Sequence, residues 1–305
     1  MRYQRLDLNL LTALRALLNE RSVTRAAESL YVSQSAMSGI LARLREYFDD
    51  ALIVQVARRS ELTPLGECLI TKVGDLLLQI DAALGTKPYF SPEASRRHFI
   101  VVASDYVISV LLLQVLRDIH TCAPGVTVQF KQPTQSACQE LEAGEVDFLI
   151  APDWYLTPGF STARLFDDGY SVVADRRNTD FGDAIDLERY AAARHVAVET
   201  KGQPMFDTWF EKKYPGRRQI DVAIPSFAML PRLVSGTQRI ATMHSRLAQE
   251  ACELLPVRGV RLDFEYPPFV EMLQWHSYRD SDPGIVWLRD KLLEHAAALP
   301  PAPRD

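Results

Sequence analysis

The chain has 305 residues, of which 47% are hydrophobic and 24% are charged, and its formal net charge is −5. This length suits two or more domains, and the composition is ordinary for a soluble globular protein. The net charge argues against a protein that binds nucleic acid with its whole surface.

The charge is distributed unevenly along the chain. Residues 1–63 contain nine arginines, no lysine and seven acidic residues, a net charge of +2, so the remainder carries −7. This division fits a small DNA-reading head on an acidic body, although +2 is a weak electrostatic footprint.

The cysteines and the N-terminus bear on the cellular compartment. The N-terminal sequence MRYQRLDLN has no apolar run of the length that an export signal needs, and the longest mainly apolar run, residues 107–116, is too short to span a membrane. The cysteines are far apart with no CxxC pair, which favours buried thiols in a reducing cytosol over a zinc site or disulfides. We therefore expect a cytoplasmic protein with no membrane partner. The cysteines are Cys68, Cys122, Cys138 and Cys252.

The first three predicted helices form one group. The first begins after Asp7 or Asn9, either of which can cap it, and carries a broad leucine stripe. The second covers residues 24–30, a tight turn follows, and the third begins at Gln34, where Ser33 can cap it. The apolar positions of this pair are Ala26, Ala27, Leu30, Val32, Met37, Ile40, Leu41 and Leu44.

The opposite face of the third helix indicates DNA binding. A helix-turn-helix places the N-terminal end of its second helix against base edges in the major groove. Gln34 can pair with adenine, and Ser35 and Ser38 can bond to several bases. The alternative is an ordinary helical hairpin inside a larger core, which many alanine-rich helix pairs form.

Arginines around this motif are candidates for phosphate contacts, among them Arg45. Residues 52–63 predict a β-hairpin with a basic tip that would lie beside the DNA backbone or in the minor groove. The alternative for the tip is a solvated charged turn. The predicted DNA-binding residues are Arg25, Ser33, Gln34, Ser35, Ser38, Arg43, Arg58 and Arg59.

A long helix is predicted from Pro64 to about Leu84, with Thr63 as its cap and proline at its first position. One apolar stripe has the spacing of a coiled-coil seam, and a second stripe lies beside it. A helix that is apolar on two sides needs two partners, which we take to be its own head and a second copy of the chain. The seam is Ile70, Val73, Leu77, Ile80 and Leu84, and the second stripe is Leu69, Leu76 and Ala83.

After a Pro- and Gly-containing linker at residues 85–95, strands and helices alternate. This order predicts a parallel sheet with helices on both faces, followed by a second such series, and hence two α/β lobes with a cleft between them. Strands are expected at 98–104, 126–130, 146–152, 195–199, 219–224 and 239–243, and strands at 261–264 and 270–275 are expected to return to the first lobe. Helices are expected at 105–122, 135–143, 205–214, 227–234 and 245–253, with a last one beginning at 282–283.

Ligands of open α/β sheets bind beyond the carboxyl ends of the strands. The residues at those ends are rich in aromatic rings and small hydroxyls, which suits an aromatic, partly polar effector. For any single aromatic residue the alternative is a place in the core. The predicted effector-binding residues are Ser104, Asp105, Tyr106, Thr134, Trp154, Thr200, Gln203, Phe227, Met243 and Trp275.

Several stretches resemble LysR-type transcriptional regulators. In the first part these are LDLNLL (6–11), RAAESLYVSQSAMS (25–38) and LTPLG (62–66). The second part is most similar to nodulation regulators and to naphthalene- and salicylate-responsive regulators, in GEVDFLI (144–150), SFAMLPRLVSGTQRIATM (226–243) and LQWHSYRDSDPGIVWLRDKL (273–292). The chain departs from the family pattern at Gly39, where many members carry arginine, and at Ile53 and Gln55, where phenylalanine and arginine are usual.

The resemblance implies an α/β protein with a winged helix-turn-helix, a linker helix that dimerises, and a two-lobed effector domain like that of periplasmic binding proteins. Relatives of this subgroup respond to flavonoids or aromatic acids. The implied domains are residues 1–64 for DNA binding, 65–90 for the linker, and 91–305 for the effector domain, with lobe I at about 91–161 and 266–300 and lobe II at about 162–265.

The six histidines show no metal spacing, and there is no nucleophile elbow, phosphate loop or dinucleotide fingerprint, so an enzyme is not expected. A solute-binding protein is the alternative, but it would explain only residues 98–293. We predict a sequence-specific DNA-binding regulator, an activator with no cofactor beyond an aromatic co-inducer. Its expected partners are double-stranded promoter DNA, RNA polymerase and further copies of itself, as a dimer through the linker helix and then a tetramer.

Overall fold

The computed structural model describes residues 7, 9–56, 59–85, 89–198, 206–267 and 269–302. The chain forms two compact units, one of residues 1–86 with 142–144 and one of 87–141 with 145–305. Among the described residues, no helix is both long and apolar enough to cross a membrane.

The N-terminal unit is a small helical domain with a hairpin. The leucine stripe of its first helix fills the core, where Leu14, Leu17 and Leu18 have no exposed area. The hairpin strands pair antiparallel, with Ile53 opposite Leu62. The elements are α1 (Leu10–Glu20), α2 (Val23–Ser29), α3 (Gln34–Phe48), β1 (Ile53–Val56), β2 (Arg59–Leu62) and α4 (Pro64–Gly85).

The helix-turn-helix forms as the sequence predicts. Ala26 and Ala27 are buried on α2, and Met37 and Leu44 are buried on α3. The prediction that Val32 belongs to this apolar set was wrong, because it lies in the turn between the helices and its side chain is 41% exposed.

The long helix α4 divides its apolar residues between two surfaces. The Thr63 hydroxyl accepts a hydrogen bond from the Gly66 amide at 3.0 Å, as a capping residue should. Val73 is buried in the core of the N-terminal unit, whereas Leu76 is 41% exposed. The other residues of α4 that pack against this core are Leu65, Leu69, Ile70, Leu77 and Ile80. The side chains of Ala83 and Leu84 lie outside the described residues.

The second unit contains two sheets. The five-stranded sheet has the order β4-β3-β5-β13-β6, and the six-stranded sheet has the order β10-β9-β11-β7-β12-β8. The strands are β3 (His98–Val102), β4 (Thr127–Lys131), β5 (Phe148–Pro152), β6 (Ser161–Asp168), β7 (Tyr170–Asp175), β8 (Ala184–Ile185), β9 (Arg194–Val198), β10 (Gln219–Ile224), β11 (Ile240–His244), β12 (Val257–Leu262) and β13 (Phe269–Trp275). The helices are α5 (Asp105–Val107), α6 (Leu113–Cys122), α7 (Ala137–Glu142), α8 (Leu187–Ala192), α9 (Phe206–Lys213), α10 (Leu230–Val234), α11 (Ser245–Leu254) and α12 (Pro283–Ala297), with a π-helical segment at Ile108–Leu112 between α5 and α6.

The path between the two sheets differs from the expected one. Strand β6, which was not predicted, belongs to the five-stranded sheet, so the chain crosses after Asp168 rather than near 161. Strand β12 pairs with β7 and β8, so the expectation that residues 261–264 return to the first lobe was wrong. Strand β13 does return, and it lies between β5 and β6. Short apolar runs do not reveal their sheet partners, because partner choice depends on residues far away in the chain.

Candidate functional site

The N-terminal end of α3 presents an exposed polar surface. Gln34, Ser35 and Ser38 are all exposed. The Ser33 hydroxyl accepts a hydrogen bond from the Ala36 amide at 3.2 Å and lies 3.0 Å from the Ser35 hydroxyl, which identifies Ser33 as the helix cap. A side chain at Gly39 would meet no atom within 4 Å, so this face is open.

The predicted phosphate-binding arginines have different surroundings. The Arg25 guanidinium lies 3.0 Å from the Glu20 carboxylate, which holds it against the end of α1. Arg43 on α3 and Arg59 at the start of β2 are exposed. Arg58 lies outside the described residues.

Arg45 has a structural role, which corrects its interpretation as a phosphate contact. Its guanidinium donates to the carbonyl oxygens of Ala51 at 2.9 Å and Ile53 at 3.0 Å, which ties α3 to the first strand of the hairpin.

A second contact between the hairpin and the segment that follows α3 was not predicted. The Asp50 carboxylate accepts hydrogen bonds from the Leu52 amide and the Thr63 hydroxyl, both at 2.6 Å, and these bonds lower the pKa of Asp50. This contact joins both ends of the hairpin, so the hairpin is held at a fixed angle to α3.

A cavity that is open to solvent lies between the two sheets of the second unit. The carboxyl ends of β3, β4 and β5 reach it from one sheet, and β7, β11 and the start of α9 reach it from the other, as the rule for open α/β sheets predicts. It is lined by Ser104, Pro133, Ile150, Ala151, Pro152, Trp154, Tyr155, Tyr170, Phe206, Asp207, Phe227, Thr242, His244 and Glu271.

Three of the predicted effector residues line this cavity, namely Ser104, Trp154 and Phe227. Two others bind neighbouring protein groups. The Asp105 carboxylate accepts hydrogen bonds from the Ser226 hydroxyl at 2.7 Å and the Ala228 amide at 3.0 Å, which links the two lobes.

Tyr106 is fully buried. Its hydroxyl donates to the Asp168 carboxylate at 2.6 Å, and its ring stacks on His244 at 3.7 Å, so it supports the cavity from behind.

The remaining predicted residues do not contribute to the described lining. Met243 and Trp275 are buried in the core, and the Trp275 indole donates to Asp280 at 2.6 Å. Thr134 is exposed, and its hydroxyl lies 2.9 Å from that of Ser136. Thr200 and Gln203 lie outside the described residues. Side chains alternate along a strand, so a position near the end of a strand can face the core instead of the cavity.

The prediction missed several lining residues. Ile150, Ala151 and Thr242 lie within strands, Tyr170 begins the unpredicted strand β7, and Phe206 and Asp207 begin the predicted helix α9. A signal for one of them was available in the sequence, because Glu271 is a charged residue inside the otherwise mainly apolar strand FVEMLQW of β13.

The ionisable groups of the cavity are strongly perturbed. Glu271 is 2% exposed, and its pKa is raised to about 8 by burial and by the negative charges of Asp168 and Asp153. Burial lowers the pKa of His244 to about 3, so this imidazole is neutral at physiological pH. The site therefore contains a carboxyl group that can change its proton occupancy near neutral pH.

A buried ion pair holds another wall of the cavity. The Arg218 guanidinium donates to the Asp207 carboxylate at 2.6 Å and to the Tyr190 hydroxyl at 3.1 Å. The Tyr190 hydroxyl lies 2.7 Å from that of Thr242, which lines the cavity. Burial raises the pKa of Asp207, with Arg218 acting in the opposite direction. The pair fixes both Asp207 and Thr242 in position.

Comparison with known proteins identifies the family. Residues 8–67 match the profile described as "Bacterial regulatory helix-turn-helix protein, lysR family", and residues 92–297 match "LysR substrate binding domain". The chain belongs to the LysR family of bacterial regulators. This assignment confirms the resemblance, the α/β architecture with a helix-turn-helix, and the role as a DNA-binding transcriptional regulator rather than an enzyme.

Individual relatives cover nearly the whole chain. Nodulation protein D 1 of Rhizobium tropici is 37% identical over 301 residues, 98% of either chain. Among solved structures, the probable transcriptional regulator PA0477 from Pseudomonas aeruginosa has a TM-score of 0.64 and 29% identity, covering 96% of this chain and 98% of its own. Full-length CbnR in complex with its target DNA has the same fold, with a TM-score of 0.55 and 16% identity over 97% of this chain and all of its own.

Proposed function

We propose that this LysR-family regulator reads promoter DNA with the N-terminal end of α3. The observation that supports this role is the exposure of Gln34, Ser35 and Ser38 on a helix whose opposite face is buried. Backbone amides at a helix N-terminus also favour the approach of a phosphate. Arg43 and Arg59, which are exposed, and Arg58 contact the DNA backbone in this proposal. In this proposal Arg25 keeps its ion pair with Glu20, and the exposed side of its guanidinium contacts a phosphate.

Replacing Gln34 tests this assignment. We expect Gln34→Ala to weaken binding to the operator by about 1–3 kcal/mol, while binding to unrelated DNA at the same salt concentration stays unchanged. Fluorescence anisotropy with both DNAs measures the two affinities. Gln139→Ala, an exposed glutamine in the other unit, is the matched control. Equal losses on both DNAs would show that Gln34 reads no base.

The cavity of the second unit is the proposed site of a small aromatic co-inducer. Aromatic side chains reach it from both sheets, including Trp154 and Tyr155 on one side and Tyr170 and Phe227 on the other. A ligand that contacts both sheets binds one arrangement of the lobes more tightly than another. Such differential affinity, typically about 1–3 kcal/mol, is what an effector needs to change the affinity of the protein for DNA.

The proposed assembly is a dimer through α4 and then a tetramer. Leu76 supports the dimer, because it is an exposed leucine on a helix whose other described leucines pack at least partly against the core of their own unit. Sedimentation at micromolar concentration should show that Leu76→Glu weakens self-association, whereas Gln79→Glu on the same helix leaves it unchanged. Unchanged association of the Leu76 variant would exclude this face as the interface.

In the full proposal the regulator acts in the cytoplasm as an activator that contacts RNA polymerase. DNase footprinting of the region upstream of the gene, with and without candidate aromatic compounds, tests the coupling. We expect protection over several helical turns that shortens or shifts with one compound. Protection that no compound changes would refute effector control while preserving DNA binding.

A further inference from the structure

Four residues of the N-terminal unit have a left-handed backbone although none of them is glycine. They are Arg21 (φ 49°), Tyr31 (φ 55°), Asp49 (φ 54°) and Leu52 (φ 60°), and the described part of the chain contains no other such residue. This conformation brings Cβ close to a carbonyl oxygen, and it is tolerated best by glycine, asparagine and aspartate. Asp49 is therefore of a suitable type, and Leu52 is fully buried, so its packing in the core offsets the strain.

The fold does not explain the side chains of Arg21 and Tyr31. The Arg21 amide donates to the Leu17 carbonyl at 2.9 Å at the end of α1, and the Tyr31 amide donates to the Glu28 carbonyl at 3.2 Å after α2. Glycine or asparagine would make these backbone bonds with less strain. Both side chains are exposed, and Tyr31, at 98%, is the most exposed large hydrophobic side chain of the described residues. Strain of this kind persists where a side chain serves a function.

The position of the two turns indicates what that function is. Arg21 lies directly before Ser22, the cap of α2, and Tyr31 lies in the turn between α2 and α3. In a helix-turn-helix the first helix, here α2, crosses the DNA backbone while the second enters the major groove. A guanidinium donates to phosphate oxygens as a cation, whereas a tyrosine hydroxyl donates to them without carrying a charge. Both residue types therefore suit the two ends of a helix that crosses the backbone.

We propose that Arg21 and Tyr31 bind the sugar–phosphate backbone at the two ends of α2 and so position α3 in the groove, at a cost to the stability of the N-terminal unit. This inference rests on the proposed function of α3. Contacts with the backbone carry no sequence information, so both residues act on any DNA alike. The two contacts differ in their dependence on salt, because only Arg21 displaces a cation that is bound to the DNA.

Asparagine variants of the full-length protein test the proposal. We expect Arg21→Asn and Tyr31→Asn each to weaken binding by about tenfold, the range for one hydrogen bond to a charged group. Fluorescence anisotropy should show equal factors for a duplex from the footprinted region upstream of the gene and for a scrambled duplex of the same length. Each variant should also raise the urea midpoint of the N-terminal unit by roughly 0.5 M, followed by circular dichroism, because asparagine relieves the strain. A general defect would instead lower both affinity and stability.

Salt titrations and a phenylalanine variant separate the two contacts. The slope of log K against log salt concentration should become about 0.9 less steep in Arg21→Asn and stay unchanged in Tyr31→Asn. Tyr31→Phe removes only the hydroxyl, so it should lose affinity without gaining stability. Tyr89→Phe and Arg96→Asn, at exposed positions of the second unit, are the matched controls and should keep the affinity and the salt slope of the wild type.

Each contrary outcome has a distinct meaning. Unchanged affinity of both asparagine variants, with Gln34→Ala still losing operator binding, would overturn the backbone contacts and leave the role of α3 standing. A loss on the operator duplex alone would overturn the proposal by making these residues base readers. A parallel fall of stability and affinity would overturn it by assigning both side chains a structural role only. Equal binding of the wild type to the two duplexes would refute the proposed function of α3 itself.

Discussion

Glu271 should make the stability of the second unit depend on pH. Its pKa of about 8 in the folded protein lies above the ordinary value of 4.5. At a pH between these two values, Glu271 is protonated in the folded state and ionised in the unfolded state. Stability conferred by this protonated group is complete below the ordinary pKa, and it declines as the pH rises toward the folded-state pKa. At about pH 7 the free energy of unfolding is about 3 kcal/mol lower than it is below the ordinary pKa, since each pKa unit corresponds to about 1.4 kcal/mol.

The variant that checks this reasoning is Glu271→Gln, which resembles the protonated carboxyl group at every pH. We expect it to match the wild type near pH 5 and to be the more stable protein by about 3 kcal/mol at pH 7. Urea unfolding followed by tryptophan fluorescence measures the difference, because all four tryptophans lie in the second unit. Glu253→Gln is the control.

The test is how the difference in unfolding free energy between the wild type and Glu271→Gln changes with pH. Asp168 also has a pKa raised by burial, but it is present in both proteins, so the difference between them reports chiefly on Glu271. A stability difference that stays constant between about pH 5 and about pH 8 would refute the reasoning. A Gln variant that is less stable than the wild type at the upper end of this range would do the same.

Three further predictions concern a helix cap, the packing of the core and an ion pair. Ser33→Ala removes the acceptor for the Ala36 amide and should lower the free energy of unfolding of the N-terminal unit by about 1 kcal/mol, measured by circular dichroism in urea. Met37→Ala, at a fully buried position, should cost about 2–5 kcal/mol in the same assay, whereas Ala42→Ser on the exposed face should change little. Arg218→Met leaves the buried Asp207 carboxylate unpaired and should destabilise the second unit by about 3–5 kcal/mol, as measured by urea unfolding with tryptophan fluorescence. Adding Asp207→Leu to this variant should recover most of that loss.

Local patterns were sufficient to predict most of the elements. The bounds of α2 and the start of α3 were found within a residue of those observed, because these helices have a clear apolar face and Ser33 marks the start of α3. The parallel strands β3, β5 and β9 were found because each is a short buried run between helical segments. The candidate DNA-binding face was predicted from the same helical periodicity, which separates exposed residues from buried ones.

The position of the cavity between the two lobes was predicted, but its lining residues were predicted only in part. Ser104, Trp154 and Phe227 lie where the ends of strands were expected to meet, and they line the cavity. Tyr106 and Trp275 satisfied the same rule and are nevertheless buried among other side chains. The rule that ligands bind beyond the carboxyl ends of the strands locates an edge of the sheet. Which side chains face the ligand there depends on the register of each strand and on its neighbours.

By itself, therefore, the sequence determined the family, many of the elements and the helix-turn-helix, since these depend on motifs and periodicities within short segments. Only the tertiary structure decided that Arg45 braces the hairpin and that Asp105 links the lobes. It also placed Glu271 in a cavity with Tyr170, a residue about a hundred positions earlier in the chain. These contacts join segments that are distant in sequence, and a local pattern carries no information about which distant segment will become its neighbour.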